Sequence, residues 1–426
     1  MDSENPTPLS KHELYLATTF QSKLEEAEYL SNLPSDESHP YDNKYEARKI
    51  LEKLLVSLEH SSLEKDYQNI AKGIVNFFIG MNFYDTEENH MAEKHLSSSL
   101  ESFSELPRDK ICFFFNYLQE LYNTLGTLFA NRDDFQEGLA IFAKAEDLYP
   151  LMKKVYEKHP ISVVHNFRGF TPGETKETFR SYYQGGINIH KCEKNYTLTL
   201  FYMAQAYTKA NLKFKAAQYC GATLKRQFEL KDYEMKDWCV NCISLAEFYN
   251  SNMEFAQAQY LLMGGLSIVP EKKRKLCATF YMALGHHLLE LLQFSVEKYL
   301  SGKTDDISSL NTLNKKTIVF ENMNSKFPEL KLPQSIEDLN SLFRQCNTQY
   351  KKALKYFELD GYVTEYVQIV RDLSKAYRYL SMVEKDQERV LAILDRRREL
   401  LEYPATEINP KAFENYWQVR VYLRIS

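Results

Sequence analysis

Leu200-Phe201-Tyr202-Met203-Ala204-Gln205-Ala206-Tyr207 and Cys242-Ile243-Ser244-Leu245-Ala246-Glu247-Phe248-Tyr249 are the two stretches whose reading decides the fold. Each places two apolar residues, a small one and an aromatic on one helical face: Leu200, Met203, Ala204 and Tyr207, then Cys242, Leu245, Ala246 and Tyr249. Ala216 and Cys220 follow the first copy, and Ala258, Leu262 and Pro270 follow the second. Ala204 to Ala216 and Ala246 to Ala258 are the same twelve-residue step. Two helices, A and B, folded back on each other satisfy that step. The small residue on A lets B approach, the aromatic fills the remaining gap, and the small residue on B receives it.

Working outward, the same hairpin recurs. Gly80 and Phe83 precede Ala92 and Leu96. Tyr122, Leu125, Gly126 and Phe129 precede Gly138, Phe142, Ala145 and a terminating Pro150. This is tetratricopeptide spacing, and it predicts an all-α, tetratricopeptide-like helical-hairpin solenoid. Residues 1–43 read as a polar, partly disordered N-terminal tail containing Pro6, Pro8, Pro34 and Pro40, with room for one short helix. From Lys44 an apolar stripe of Ala47, Ile50, Leu51, Leu54, Leu55 and Leu58 opens an array over 44–300. A long connection at 151–195 carries Gly169, Pro172, Gly173, Gly185 and Gly186 and interrupts the array. A long helix is expected over Lys272–Tyr299, a polar linker over 301–333, and a C-terminal helical segment over 334–426. Its last helix, with Phe413, Tyr416, Val419 and Leu423, reads as an incomplete final repeat.

The 426 residues hold only 14 Gly and 13 Pro, which suits a chain of helices with few tight turns. A net charge of -5 gives no bulk electrostatic reason to expect nucleic acid or an anionic membrane. The N-terminus has neither a basic nor an apolar leader region, no apolar run is long enough to span a bilayer, and the seven cysteines are scattered. A soluble cytoplasmic protein is expected. Gly169 to Lys176 lacks the Gly-Lys-Ser/Thr ending and preceding strand of a phosphate loop. Cys239 and Cys242 form a lone CxxC at a packing position, so core residues are the better reading. His286 and His287, adjacent on a helix, point to different sides and read as structural. Arg396-Arg397-Arg398, flanked by Asp395 and Glu399, reads as a solvated, partly paired helix face. Neither an enzyme, a cofactor, a metal nor a small-molecule substrate is expected.

In such a stack the A helices line the concave side. Positions two or three before the small residue, one after it, and four or five after it face a ligand. They are Asn123, Thr124, Thr127 and Asn131; Phe201, Tyr202, Gln205 and Lys209; and Ile243, Ser244, Glu247 and Ser251. This lining is mostly neutral-polar, fit to hydrogen-bond a folded partner or a helix. A clamp for a C-terminal carboxylate is disfavoured, because Glu247 would repel it.

The blocks Phe201-Tyr202-Met203-Ala204-Gln205-Ala206-Tyr207, Ala216-Ala217-Gln218-Tyr219-Cys220, Thr223-Leu224-Lys225-Arg226-Gln227 and Ser244-Leu245-Ala246-Glu247-Phe248-Tyr249 resemble the KIF-binding protein family, the kinesin-binding proteins. So do Asp360-Gly361-Tyr362-Val363-Thr364-Glu365, Arg397-Arg398 with Leu400-Leu401-Glu402, and Asn409-Pro410. The resemblance runs loosely from Lys44 to the end. It departs at Gly169–Gly186 and at the C-terminus, where family members continue through further helices. What the resemblance implies is a non-enzymatic, cytoskeleton-associated regulator of microtubule motors. Such a protein grips kinesin motor domains by their track-facing surface and blocks attachment to microtubules. By resemblance, Tyr202, Gln205, Ser244 and Glu247 lie on helices that touch the motor. The alternative is a general cytosolic scaffold joining other protein partners.

Overall fold

The computed structural model describes residues 19–61, 63–106, 114–158, 189–302, 318–321, 323, 327, 330, 332–409, 411 and 419–420. All regular secondary structure among them is helical. The helices are α1 (Gln21–Asn32), α2 (Asp42–Glu59), α3 (Lys65–Asp85), α4 (Asn89–Ser104), α5 (Phe115–Asn131), α6 (Phe135–Lys158) and α7 (Ile189–Lys209). They continue with α8 (Lys213–Leu230), α9 (Met235–Ser251), α10 (Phe255–Ile268), α11 (Arg274–Ser301), α12 (Ile336–Leu354), α13 (Val363–Val383) and α14 (Gln387–Glu407). Two compact units divide the chain, Met1–Tyr219 and Cys220–Ser426, with the division inside α8.

Three of the hairpins expected from the spacing are present as the packed pairs α3/α4, α5/α6 and α9/α10, and a turn of the same kind joins α7 to α8. Their small residues are where the helices touch. A Cβ added at Gly126 would lie 2.6 Å from the Phe142 ring, and one at Gly138 would lie 3.0 Å from the Gly126 carbonyl. The turns share one geometry. Glu87, Asp133, Asn211, Lys231 and Met253 hold φ of 64, 64, 59, 55 and 62°. The next residue's N–H then donates to the carbonyl of Phe83, Phe129, Tyr207, Gln227 or Tyr249, at 2.9, 3.1, 2.8, 3.1 and 2.8 Å respectively. This closure satisfies a helix-end carbonyl that would otherwise lack a partner. In four of the five turns that carbonyl belongs to the repeat's own aromatic.

In the first unit, α1 adds Phe20, Leu24 and Ala27 to a core that runs through α2 to α6. The segment expected as an N-terminal tail is therefore helical and packed over 21–32, because those three residues share one buried face. Pro150 does not end its helix. It removes one backbone hydrogen bond, but Tyr149 and Met152 on either side are buried against Phe115 and Cys192, and α6 runs on to Lys158. The 151–195 connection is thus helical at both ends, and Gly169, Pro172, Gly173, Gly185 and Gly186 lie outside the described residues.

In the second unit, α11/α12 and α13/α14 continue the hairpin arrangement around Leu291, Leu292, Phe343, Tyr350, Ile369, Leu373 and their neighbours. Ser335 caps α12: its hydroxyl accepts from the Asp338 N–H at 3.1 Å, while the Asp338 carboxylate accepts from the Ser335 N–H at 3.2 Å. Part of the expected polar linker is a packed strap. Gln257 on α10 donates its amide to the Ile318 carbonyl and accepts from the Ile318 N–H, while Tyr260 Oη accepts from the Phe320 N–H at 2.8 Å. Phe320 sits among Trp238, Phe228 and Tyr260, with ring centroids 5.2, 5.4 and 5.7 Å away. Composition concealed this, because two apolar residues in a polar stretch suffice once side chains of α10 satisfy the strap's backbone. Of the C-terminal helix, Val419 is buried against Val367, Val370 and Leu401, whereas Phe413, Tyr416 and Leu423 lie outside the described residues.

Candidate partner-binding surface

The A helices of the first unit are α3, α5 and α7. Asn123 and Thr124 are corrections, because both are buried. The Asn123 side-chain amide donates to the Asn195 carbonyl at 3.0 Å, and its Oδ1 accepts from the Thr199 hydroxyl at 2.8 Å. Helix α7 lies close enough on α5 to turn a wall position into an interhelix clasp. Thr124 bonds back to the Glu120 carbonyl beside Met81. Thr127 is half-buried and donates to the Asn123 carbonyl at 2.8 Å.

Asn131, Gln205 and Lys209 are exposed, and Lys209 Nζ donates to Asn131 Oδ1 at 3.3 Å. Tyr202 is half-buried and stacks on Phe142, centroids 6.0 Å apart, with Phe201 beside it. Burial, aided by Tyr84 and Glu120, pushes the Tyr202 phenol up from its ordinary value, so it stays a neutral hydrogen-bonding group.

The second unit presents α9, α11 and α13. Ser244, Glu247 and Ser251 are exposed on α9, and the Ser251 hydroxyl donates to the Glu247 carbonyl. Glu247 and Ser251, with Ile243 and Asn250, form one side of a cleft of about 410 Å³. Helix α11 supplies Thr279, Met282, Ala283, His286 and Glu290, and α13 supplies Gln368 and Asp372. Asp372 is 4% exposed and answers three groups: it accepts from Tyr350 Oη at 3.2 Å and from Lys375 Nζ at 3.0 Å, and lies 3.5 Å from His286 Nδ1. Burial alone would raise its carboxyl. The close contact with His286 and the charge of Lys375 outweigh that and hold it below the usual carboxylate range. The same Asp372 contact raises His286 against its own burial. His287 turns the other way. It is fully buried, donates through Nδ1 to Asn250 Oδ1 at 2.7 Å, and is pushed down to about 3 by desolvation.

The cleft's α11 side was missed because no repeat was marked there. Gly285 is its small residue, and a Cβ added to it would come within 2.7 Å of the Tyr350 ring. Counting from Gly285 by the spacing used for the other repeats gives Met282, Ala283, His286 and Glu290, all of which line the cleft. On α13 the corresponding reference is Arg371, and a large residue there hides Gln368 and Asp372 from that spacing. Two further readings fare differently. Cys239 and Cys242 are buried, and burial pushes the Cys239 thiol up to about 12. Arg397 is 4% exposed and donates from Nε to the Ser374 hydroxyl at 2.9 Å, so it is a core tether rather than part of a solvated face.

Residues 294–422 match the family model described as "KIF-1 binding protein C terminal". The chicken (Gallus gallus) KIF-binding protein is 26% identical over 423 residues, covering 88% of this chain and 69% of that protein. The Drosophila melanogaster KIF-binding protein is 26% identical over 427 residues, covering 89% and 68%. Over most of its length this chain is similar to KIF-binding proteins. The human family member is 24% identical, covering 88% of this chain and 70% of its own length. A solved chain described as "Cryo-EM structure of KIFBP core" is 22% identical, with a TM-score of 0.44, and covers 71% of this chain and 99% of that one. Among the described residues, no helix is long and apolar enough to cross a membrane.

Proposed function

We propose that this protein binds kinesin motor domains through the A-helix walls of its two units and so blocks their attachment to microtubules, regulating microtubule-based transport in the cytoplasm. Similarity to relatives named for binding KIF proteins supports a kinesin partner. The observation that carries the mode of binding is the exposure of Gln205 and Lys209 with half-open Tyr202 in the first unit, and of Ser244, Glu247 and Ser251 in the second. These side chains offer hydrogen bonds of both senses from helices whose opposite faces are locked in the core. A motor's track-facing surface must suit acidic tubulin, so a protein of net charge -5 with acidic groups on its wall suits the same surface. Asn123 and Thr124 are withdrawn from the binding set; Thr127, Asn131, Tyr202, Gln205, Lys209, Ser244, Glu247 and Ser251 remain in it. The test is co-sedimentation of a kinesin motor domain with microtubules at rising concentrations of purified protein. The motor is expected to move from pellet to supernatant, and an unchanged pellet at micromolar excess would contradict the blocking role.

A further inference from the structure

We infer that the cleft between α9, α11 and α13 is a socket for one long basic side chain, Lys or Arg, presented by the bound partner. The inference rests on the motor-binding reading and adds to it the chemistry of one contact. The cleft, of about 410 Å³, is ample for a side chain carried on a partner helix and too wide to be a packing fault between neighbours. Its lining is divided by chemistry. Ile243, Met282 and Ala283 give an apolar stretch on which an aliphatic stem can lie. The same lining holds three carboxylates: Asp372, Glu290 and Glu247.

The charges do not balance within the cleft. Lys375 and His286 are both committed to Asp372, at 3.0 and 3.5 Å. His286 Nε2 lies 3.7 Å from Glu290 and carries charge only when protonated. No basic side chain among the described residues lies within ion-pair distance of Glu247. One fixed cation therefore faces three carboxylates, and a second fixed cation in the cleft is the missing counterpart. A low-dielectric wall strengthens that attraction over the same pair in open water. The acceptors Ser251 and Gln368 at the rim suit the several N–H donors of such a head group.

The test replaces Glu290, half-exposed on α11 and outside the core, with Lys. Affinity for a kinesin motor domain is measured for wild type, Glu290→Lys, Glu290→Gln and Glu247→Lys, with helix content and melting followed in parallel. Both lysine variants are expected to lose at least tenfold in affinity with unchanged helix content, and Glu290→Gln less. A photo-crosslinking residue at Thr279 is expected to capture a motor segment containing Lys or Arg. Reversing that residue to Glu is expected to restore binding to Glu290→Lys. Tight binding by wild type with no loss in the lysine variants, or a crosslink to a segment without Lys or Arg, overturns the socket and leaves motor binding standing. Absence of motor binding by wild type overturns both.

Discussion

Asn123 shows what becomes of a wall position when a neighbouring helix reaches it. Its side chain serves Asn195 and Thr199 on α7, so removing it leaves buried polar groups without partners. Asn123→Ala is expected to cost about 1–3 kcal/mol. Gln205→Ala, at an exposed site, should stay within about 0.5 kcal/mol; the urea midpoints of the two variants check both. The adjacent histidines carry pH effects of opposite sign. His286 is raised on folding, so its contribution is fully present below the ordinary histidine pKa of about 6.5 and is lost as pH climbs through its folded value. His287 is lowered to about 3, so the unfolded chain binds the extra proton between there and about 6.5, and stability falls as pH falls through that window. Denaturant unfolding of wild type and His287→Gln is therefore expected to show a stability gap that narrows as pH falls from neutral toward acid, because the acid-side loss is smaller in the variant. A parallel decline in both would contradict the assignment.

At the scale of the element, the hairpins were legible because a twelve-residue step between small residues is a geometric demand, and Gly126 against Phe142 shows that demand being met. The turns between them were legible only as polar stretches. Their common left-handed residue could not be read, since Glu87, Asp133, Lys231 and Met253 are not the glycines such a backbone favours. Met253→Gly should relieve about 1 kcal/mol of left-handed strain against a smaller entropic cost, raising the midpoint slightly, whereas Met253→Val should lower it. The strap was hidden for another reason. Ile318 and Phe320 are too few to give a period, and their burial depends on Gln257, Tyr260 and Trp238 far away in sequence. Phe320→Ala is expected to cost about 3–5 kcal/mol, the usual loss for a buried aromatic. Guanidinium unfolding of the second unit checks it, and a loss below 1 kcal/mol would mean that the strap is a loose linker after all.

For the molecule as a whole, the proposed function rests mainly on residues that stand out of the core. Gln205 and Glu247 stand next to Ala204 and Ala246, so the repeat fixes where they point while leaving their chemistry free. That made the exposure of Gln205, Lys209, Ser244, Glu247 and Ser251 readable in advance, on α7 and α9. The α11 and α13 contributions needed the fold, because Gly285 stands in a helix with no marked repeat and Arg371 stands where a small residue was sought. A net charge of -5 agrees with the proposed competition for a basic surface but locates nothing. The measurement that tests this most directly is capture of a purified kinesin motor domain by wild type and by the Gln205→Arg, Glu247→Arg double variant. The account predicts capture by wild type, loss by the variant, and equal helix content in both. Equal capture by both would place the partner elsewhere and contradict it.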